Sequence, residues 1–142
     1  MKTRTNRFVV LALGVLTIGV LAVRAQITNQ VDFKVAQPFT VGNTTLPAGS
    51  YIVRPFSEEP GLLEIANASG KPSVIVETDV AQPAAGQSGS YLVFNRYKSL
   101  LALSQIFPGG GNTGYQLVQG HPEKQAAKTE KPTKQSVTAT AK

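Results

Sequence analysis

Between residues 31 and 119 the apolar side chains come in short runs, often alternating one-for-one with polar ones, and the runs are separated by Gly, Pro, Asn and Ser. No sustained helical period is present. Such alternation places apolar groups on one face of a pleated strand, whereas an amphipathic helix needs them three and four residues apart. Strands are expected near 31–35, 38–42, 50–56, 62–67, 73–78, 90–97, 100–107 and 114–119. Short strands at this spacing, joined by turns, predict an all-β fold: a small antiparallel β-sandwich or barrel of about eight short strands.

Local patterns assign the faces. In "VDFKV", Val31, Phe33 and Val35 are expected to point to the core, with Asp32 and Lys34 opposite. In "TLPAGSYIV", Pro47 fixes φ and Gly49 is expected to take a positive φ in a type II turn. In "LLEIANASGKPSVIVETD", reversal about Ser69 and Gly70 sets Ile65 opposite Val74 and Leu63 opposite Val76. That register sends Glu64 and Glu77 to the other face as a diagonal pair, about 7–8 Å apart by sheet geometry. The segment 100–107 is apolar on both faces, with Leu101, Leu103 and Phe107 on one and Leu100, Ala102 and Ile106 on the other. A strand in the middle of the domain would have this pattern, and burial is favoured over a self-association surface.

The two ends of the chain differ from this middle. Residues 1–25 open with a basic "MKTRTNR" and continue into "FVVLALGVLTIGVLAV", without an acidic residue. This is the layout of a secretory signal peptide, with Val23 and Ala25 as the small residues before a cleavage after Ala25. The membrane is then met only through this leader before cleavage, and the mature product is expected to be periplasmic or extracellular. Removing residues 1–25 lowers the formal charge from +6 to +2. Residues 26–120 carry five basic and six acidic groups, and 121–142 carry five Lys against Glu123 and Glu130. A nearly neutral domain lacks the clustered cations that bind phosphate backbones, so nucleic acid is excluded as the main partner. With no Cys, the fold holds by packing alone. The Lys-, Thr- and Ala-rich stretch 121–142 is too poor in large apolar residues to fold alone; it is expected to be a disordered basic tail, with a helical turn or two at "PEKQAAK" led by Pro122 at N1.

Three segments together resemble a family of small exported bacterial proteins of uncharacterised activity. The first is "PFTVGNTTLPAGSYIV" at 38–53, similar to a "PF.VG...LPAG.Y.V" signature. The second is "LVFNRYKSLLALSQIF" at 92–107, similar to "LVF.RY....FLSQIW", and the third is "EKQAAK" at 123–128. Lys98 stands where the family has glycine, and Phe107 where it has Trp. These are turn and core motifs, so the resemblance implies a shared fold and export, and it brings no catalytic residue.

Candidate chemistry is sparse. "FPGGGNTGYQ" at 107–116 lacks the Lys and following helix of a phosphate-cradling loop, so it is expected to be a flexible connection before the last strand. If it binds a ligand, Asn112, Thr113 and Tyr115 are the contacts. Arg96 is a further candidate contact, against the competing role of stacking on a neighbouring tyrosine. The single histidine, His121, lies outside the domain core, so no Ser-His-Asp or metal cluster is expected there. The sequons "NTT" at 43–45 and "NAS" at 67–69 are better explained as turn residues. No catalytic residue, cofactor or metal is assigned. The expected function is that of a non-enzymatic exported β-domain with a structural or binding role in the cell envelope or extracellular space, with self-association or an envelope polymer as partner. The alternative is a carbohydrate-active enzyme or glycan-binding module using Glu64 and Glu77, at a separation suited to an inverting glycosidase.

Overall fold

The computed structural model describes residues 30–56 and 60–141. The leader expected at residues 1–25 lies outside the described residues. Among the described residues the fold is all-β with one short helix. Its strands are β1 (Val31–Val35), β2 (Phe39–Val41), β3 (Thr44–Leu46), β4 (Gly49–Pro55), β5 (Leu62–Asn67), β6 (Pro72–Ala81), β7 (Tyr91–Arg96), β8 (Leu101–Phe107), β9 (Gly114–Leu117), β10 (Thr133–Thr138) and β11 (Thr140–Ala141), with α1 (His121–Thr129) between β9 and β10. Each of the eight expected strands is present. Three more, β3, β10 and β11, were hidden by polar composition.

The hydrogen-bonded path runs β10-β7-β8-β9-β6-β5-β4-β1-β11. All its pairings are antiparallel. β2 stands off the path, antiparallel to β3 and parallel to β8 through Thr40 and Ala102. Two segments serve two neighbours each. The first part of β6 pairs with β5, while Thr78 to Ala81 pair with β9. The C-terminal segment then occupies both ends of the path: β10 pairs along β7, and β11, one residue later, pairs with Val31 and Asp32 of β1.

This corrects the expected disordered tail. Residues 121–141 form a nine-residue helix with Pro122 in its first turn, then two strands. Polar composition bears only on whether the segment can fold alone. An edge strand instead adopts a segment through main-chain bonds, which polar side chains do not hinder. Val137 and Ala139 are its contributions to the main core.

That core is one cluster in which Phe33, Phe39, Tyr51 and Phe94 meet. Phe39 sits edge-on to Tyr51 at 5.2 Å and to Phe94 at 5.7 Å, while Phe33 stacks on Tyr51 at 5.8 Å. Aromatic pairs in such geometry contribute about 0.5–1.5 kcal/mol each beyond the area they bury. Phe39 of the "PF" signature therefore links β1 and β4 to β7. The β5–β6 register agrees with expectation: Leu63 faces Val76 and Ile65 faces Val74. At the reversal, Asn67 Oδ1 accepts bonds from the Ser69 N–H, the Ser69 hydroxyl and the Lys71 N–H, and Gly70 takes φ +80°. The "NAS" sequon is thus occupied as a turn.

Two local expectations are corrected. Gly49 is not a positive-φ residue; it is the first residue of β4, and the left-handed glycine of this region is Gly42, φ +57°, between β2 and β3. The Tyr51 hydroxyl, donating to the Pro47 carbonyl at 2.7 Å, secures the chain before β4 without that turn. The second correction concerns β8, where Phe94 faces Leu103 but Val93 faces Gln105, so Ser104 is an extra residue. Such a bulge reverses the alternation beyond it. Leu101, Leu103 and Ile106 therefore share the main core, and Phe107 turns to a separate cluster with Ala81, Tyr91 and Val93. β8 is interior, bonded to β7 on one side and to β9 and β2 on the other.

Candidate functional site

The candidate contacts fall in different places. Asn112 and Thr113 are exposed on the loop 108–113, and Tyr115 is half-buried on β9. Pro108 follows the last residue of β8, and Gly109 and Gly110 both take positive φ. Two concavities flank this loop. One, of about 100 Å³, is bordered by Asn112, Thr113, Tyr91 and Phe107 together with residues of the loop 82–90. The other, of about 420 Å³, is bordered by Thr113, Tyr115 and the exposed Val80. Thr113 is placed at both concavities, Asn112 only at the first and Tyr115 only at the second. Arg96 is at neither: it is exposed at the end of β7, and its Nε–H donates to Gln135 Oε1 of β10 at 2.8 Å. The glycine loop joins β8 to β9, which is followed by α1, β10 and β11 rather than ending the fold.

Glu64 and Glu77 lie on neighbouring strands at the expected diagonal, with Glu64 facing Ile75 and Glu77 facing Leu62. Their surroundings differ. Glu77 is exposed, while Glu64 is buried and accepts a bond from Arg54 Nε–H at 2.6 Å. That bond, then its charge, raises the Arg54 guanidinium above its ordinary range. Arg54 remains open to solvent, so the pair is partly screened. Neither carboxylate borders the concavities described above.

A second buried carboxylate escaped the sequence reading because its partners are distant in the chain. Glu123, in the first turn of α1, is 3% exposed. Its Oε1 accepts bonds from Asn95 Nδ2 at 2.5 Å, Gln119 Nε2 at 3.3 Å and the Tyr97 hydroxyl at 3.4 Å. Its place near a helix N-terminus adds favourable backbone dipoles. The signal, visible only afterwards, is the "EK" of "EKQAAK" following Pro122. Beside it the His121 N–H donates to Asn43 Oδ1 at 2.7 Å, so the "NTT" sequon serves to fasten α1.

Burial first, and then Glu123, raise the pKa of Tyr97 above its ordinary 10.0; burial alone raises that of Tyr51. The sign follows from linkage. The unfolded chain ionises these phenols from about pH 10 while the folded chain keeps them neutral, so their contribution is whole below that pH and is lost above it. Denaturant midpoints are therefore expected to hold steady to about pH 10 and then fall. Tyr97→Phe should make the alkaline fall shallower, as measured by urea titrations at successive pH values.

Among the described residues no three His, Cys, Asp or Glu side chains gather as a metal site, and no helix is long and apolar enough to cross a membrane. Compared with protein-family models, with curated proteins and with solved structures, the chain gives no match.

Proposed function

We propose that this chain is an exported, non-enzymatic β-domain with a structural or binding role in the cell envelope or outside the cell. The observation that carries this reading is the use made of the two buried carboxylates among the described residues. Glu64 is engaged by Arg54, and Glu123 by Asn95, Tyr97 and Gln119. Acids so engaged act as fasteners between elements: Glu64 joins β4 to β5, and Glu123 joins α1 to β7. A glycosidase mechanism through Glu64 and Glu77 would first have to free Glu64 from Arg54. Export rests on the basic-then-apolar leader of residues 1–25 and on the resemblance to exported bacterial proteins. The finer architecture belongs to the same proposal. A small sandwich or barrel is supported by β6 and the C-terminal segment, each of which passes from one neighbour strand to another.

The test is fractionation of bacteria producing the full chain, with N-terminal sequencing of the recovered product. The expected result is a chain beginning at Gln26 in the periplasmic or extracellular fraction. A chain retained in the cytoplasm with residues 1–25 intact would overturn the export reading.

A further inference from the structure

The bulge at Ser104 has placed Phe107 on the face away from the main core, where it stacks on Tyr91 with ring centroids 4.6 Å apart. Two adjoining concavities, of about 340 and 100 Å³, both border on Tyr91, Gln87 and Ser88. Their walls are the loop 82–90, the glycine loop, and Ser136 and Thr138 from β10. Among the described residues, no charged side chain borders either one. The Tyr91 hydroxyl is buried and has no hydrogen-bond partner among the described residues. A buried hydroxyl without a partner is unfavourable, and phenylalanine would pack on Phe107 as well. Packing alone thus gives no reason for the oxygen.

We propose that this cleft binds a neutral, hydroxyl-rich ligand, the end of a saccharide chain. Uncharged amides and hydroxyls that both donate and accept match a ligand with many hydroxyls, and they offer nothing to stabilise a charge. The glycine loop is the wall that yields to admit a ligand to the Tyr91 hydroxyl: Gly109 and Gly110 hold positive φ, and the loop is fastened by the Ser90 hydroxyl donating to the Pro108 carbonyl. This site is distinct from Glu64 and Glu77, and it rests on the binding half of the function proposed above.

The test is an amide-resolved NMR titration of the purified chain with glucose, N-acetylglucosamine, maltose and cellobiose, and with glucuronate as the charged comparison. Shifts confined to residues 86–91 and 107–113, stronger with a neutral sugar than with glucuronate, are the expected result. Tyr91→Phe should weaken that binding about fivefold or more while leaving the melting temperature unchanged or higher. Asn112→Ala probes the same wall on an exposed loop if the first variant folds poorly. Titrations to tens of millimolar with no shift in those residues, stronger binding of glucuronate, or unchanged affinity in both variants would overturn the cleft. Such a failure is separable from that of the export reading, because fractionation is read independently of sugar binding.

Discussion

A chain ended at Gly120 is expected to lose cooperative unfolding altogether and to associate into aggregates. The cut removes the strand that pairs along the whole of β7, the two-residue strand on β1, and the Glu123 carboxylate that accepts bonds from Asn95 and Tyr97. Few apolar side chains leave, so area bookkeeping alone would forecast a mild effect. Two other losses decide the matter. Asn95 and Tyr97 lose their bonds to the Glu123 carboxylate, and a hydrogen bond to a charged group contributes about 1.5–3 kcal/mol. The exposed edge of β7 then offers unpaired main-chain groups beside Leu92 and Phe94, a template for pairing with another chain. Against a total stability of about 5–15 kcal/mol for a domain of this kind, the combined loss is decisive. The measurement is a thermal melt with sedimentation of the shortened and full chains. A shortened chain that stays monomeric and melts within about 5 °C of the full one would show that the C-terminal segment is an accessory.

The contrast between that segment and the middle of the chain explains how far the sequence could be read. Val31, Phe33 and Val35 are buried and Lys34 exposed, because a strand with one face on the core must alternate. The β5–β6 register followed for the same reason, since a slip of one residue would have turned Ile65 and Val76 outward. Local alternation could not report three things. The bulge at Ser104 is a choice made against β7. The left-handed residue at Gly42 rather than Gly49 depends on how β2 turns into β3. The docking of β10 needs an edge that exists only after the preceding strands have paired. The candidate contacts divide in the same manner: Asn112 and Thr113 on the glycine loop and Tyr115 on the strand it leads into are close in sequence, whereas Tyr91 and Glu123 depend on partners brought from elsewhere in the fold.

Gly120→Ala is expected to be among the most damaging single changes in the chain, although alanine suits the backbone there. Gly120 has φ −75° and ψ 171°, an extended conformation open to any residue. The obstacle is steric. A methyl at this position would overlap the carbonyl carbon and oxygen of Gly42 and come within 2.9 Å of the Asn43 nitrogen. These are backbone atoms, so no rotamer change relieves the overlap. The β2–β3 turn and the start of α1 must separate, and with them goes the His121 N–H bond to Asn43. Overpacking of this type costs about 1–3 kcal/mol, and the lost bond adds about 1 kcal/mol. For a domain of this size that is a fall of roughly 10–20 °C in melting temperature. Gly111→Ala is the matched control, because a methyl there meets nothing within 4 Å and its φ is not positive; it should change stability by about 0.5 kcal/mol or less. Equal melting temperatures for the two variants would mean that the approach of Gly120 to Gly42 does not hold α1 against the sheet, and that the Glu123 bonds alone secure the helix.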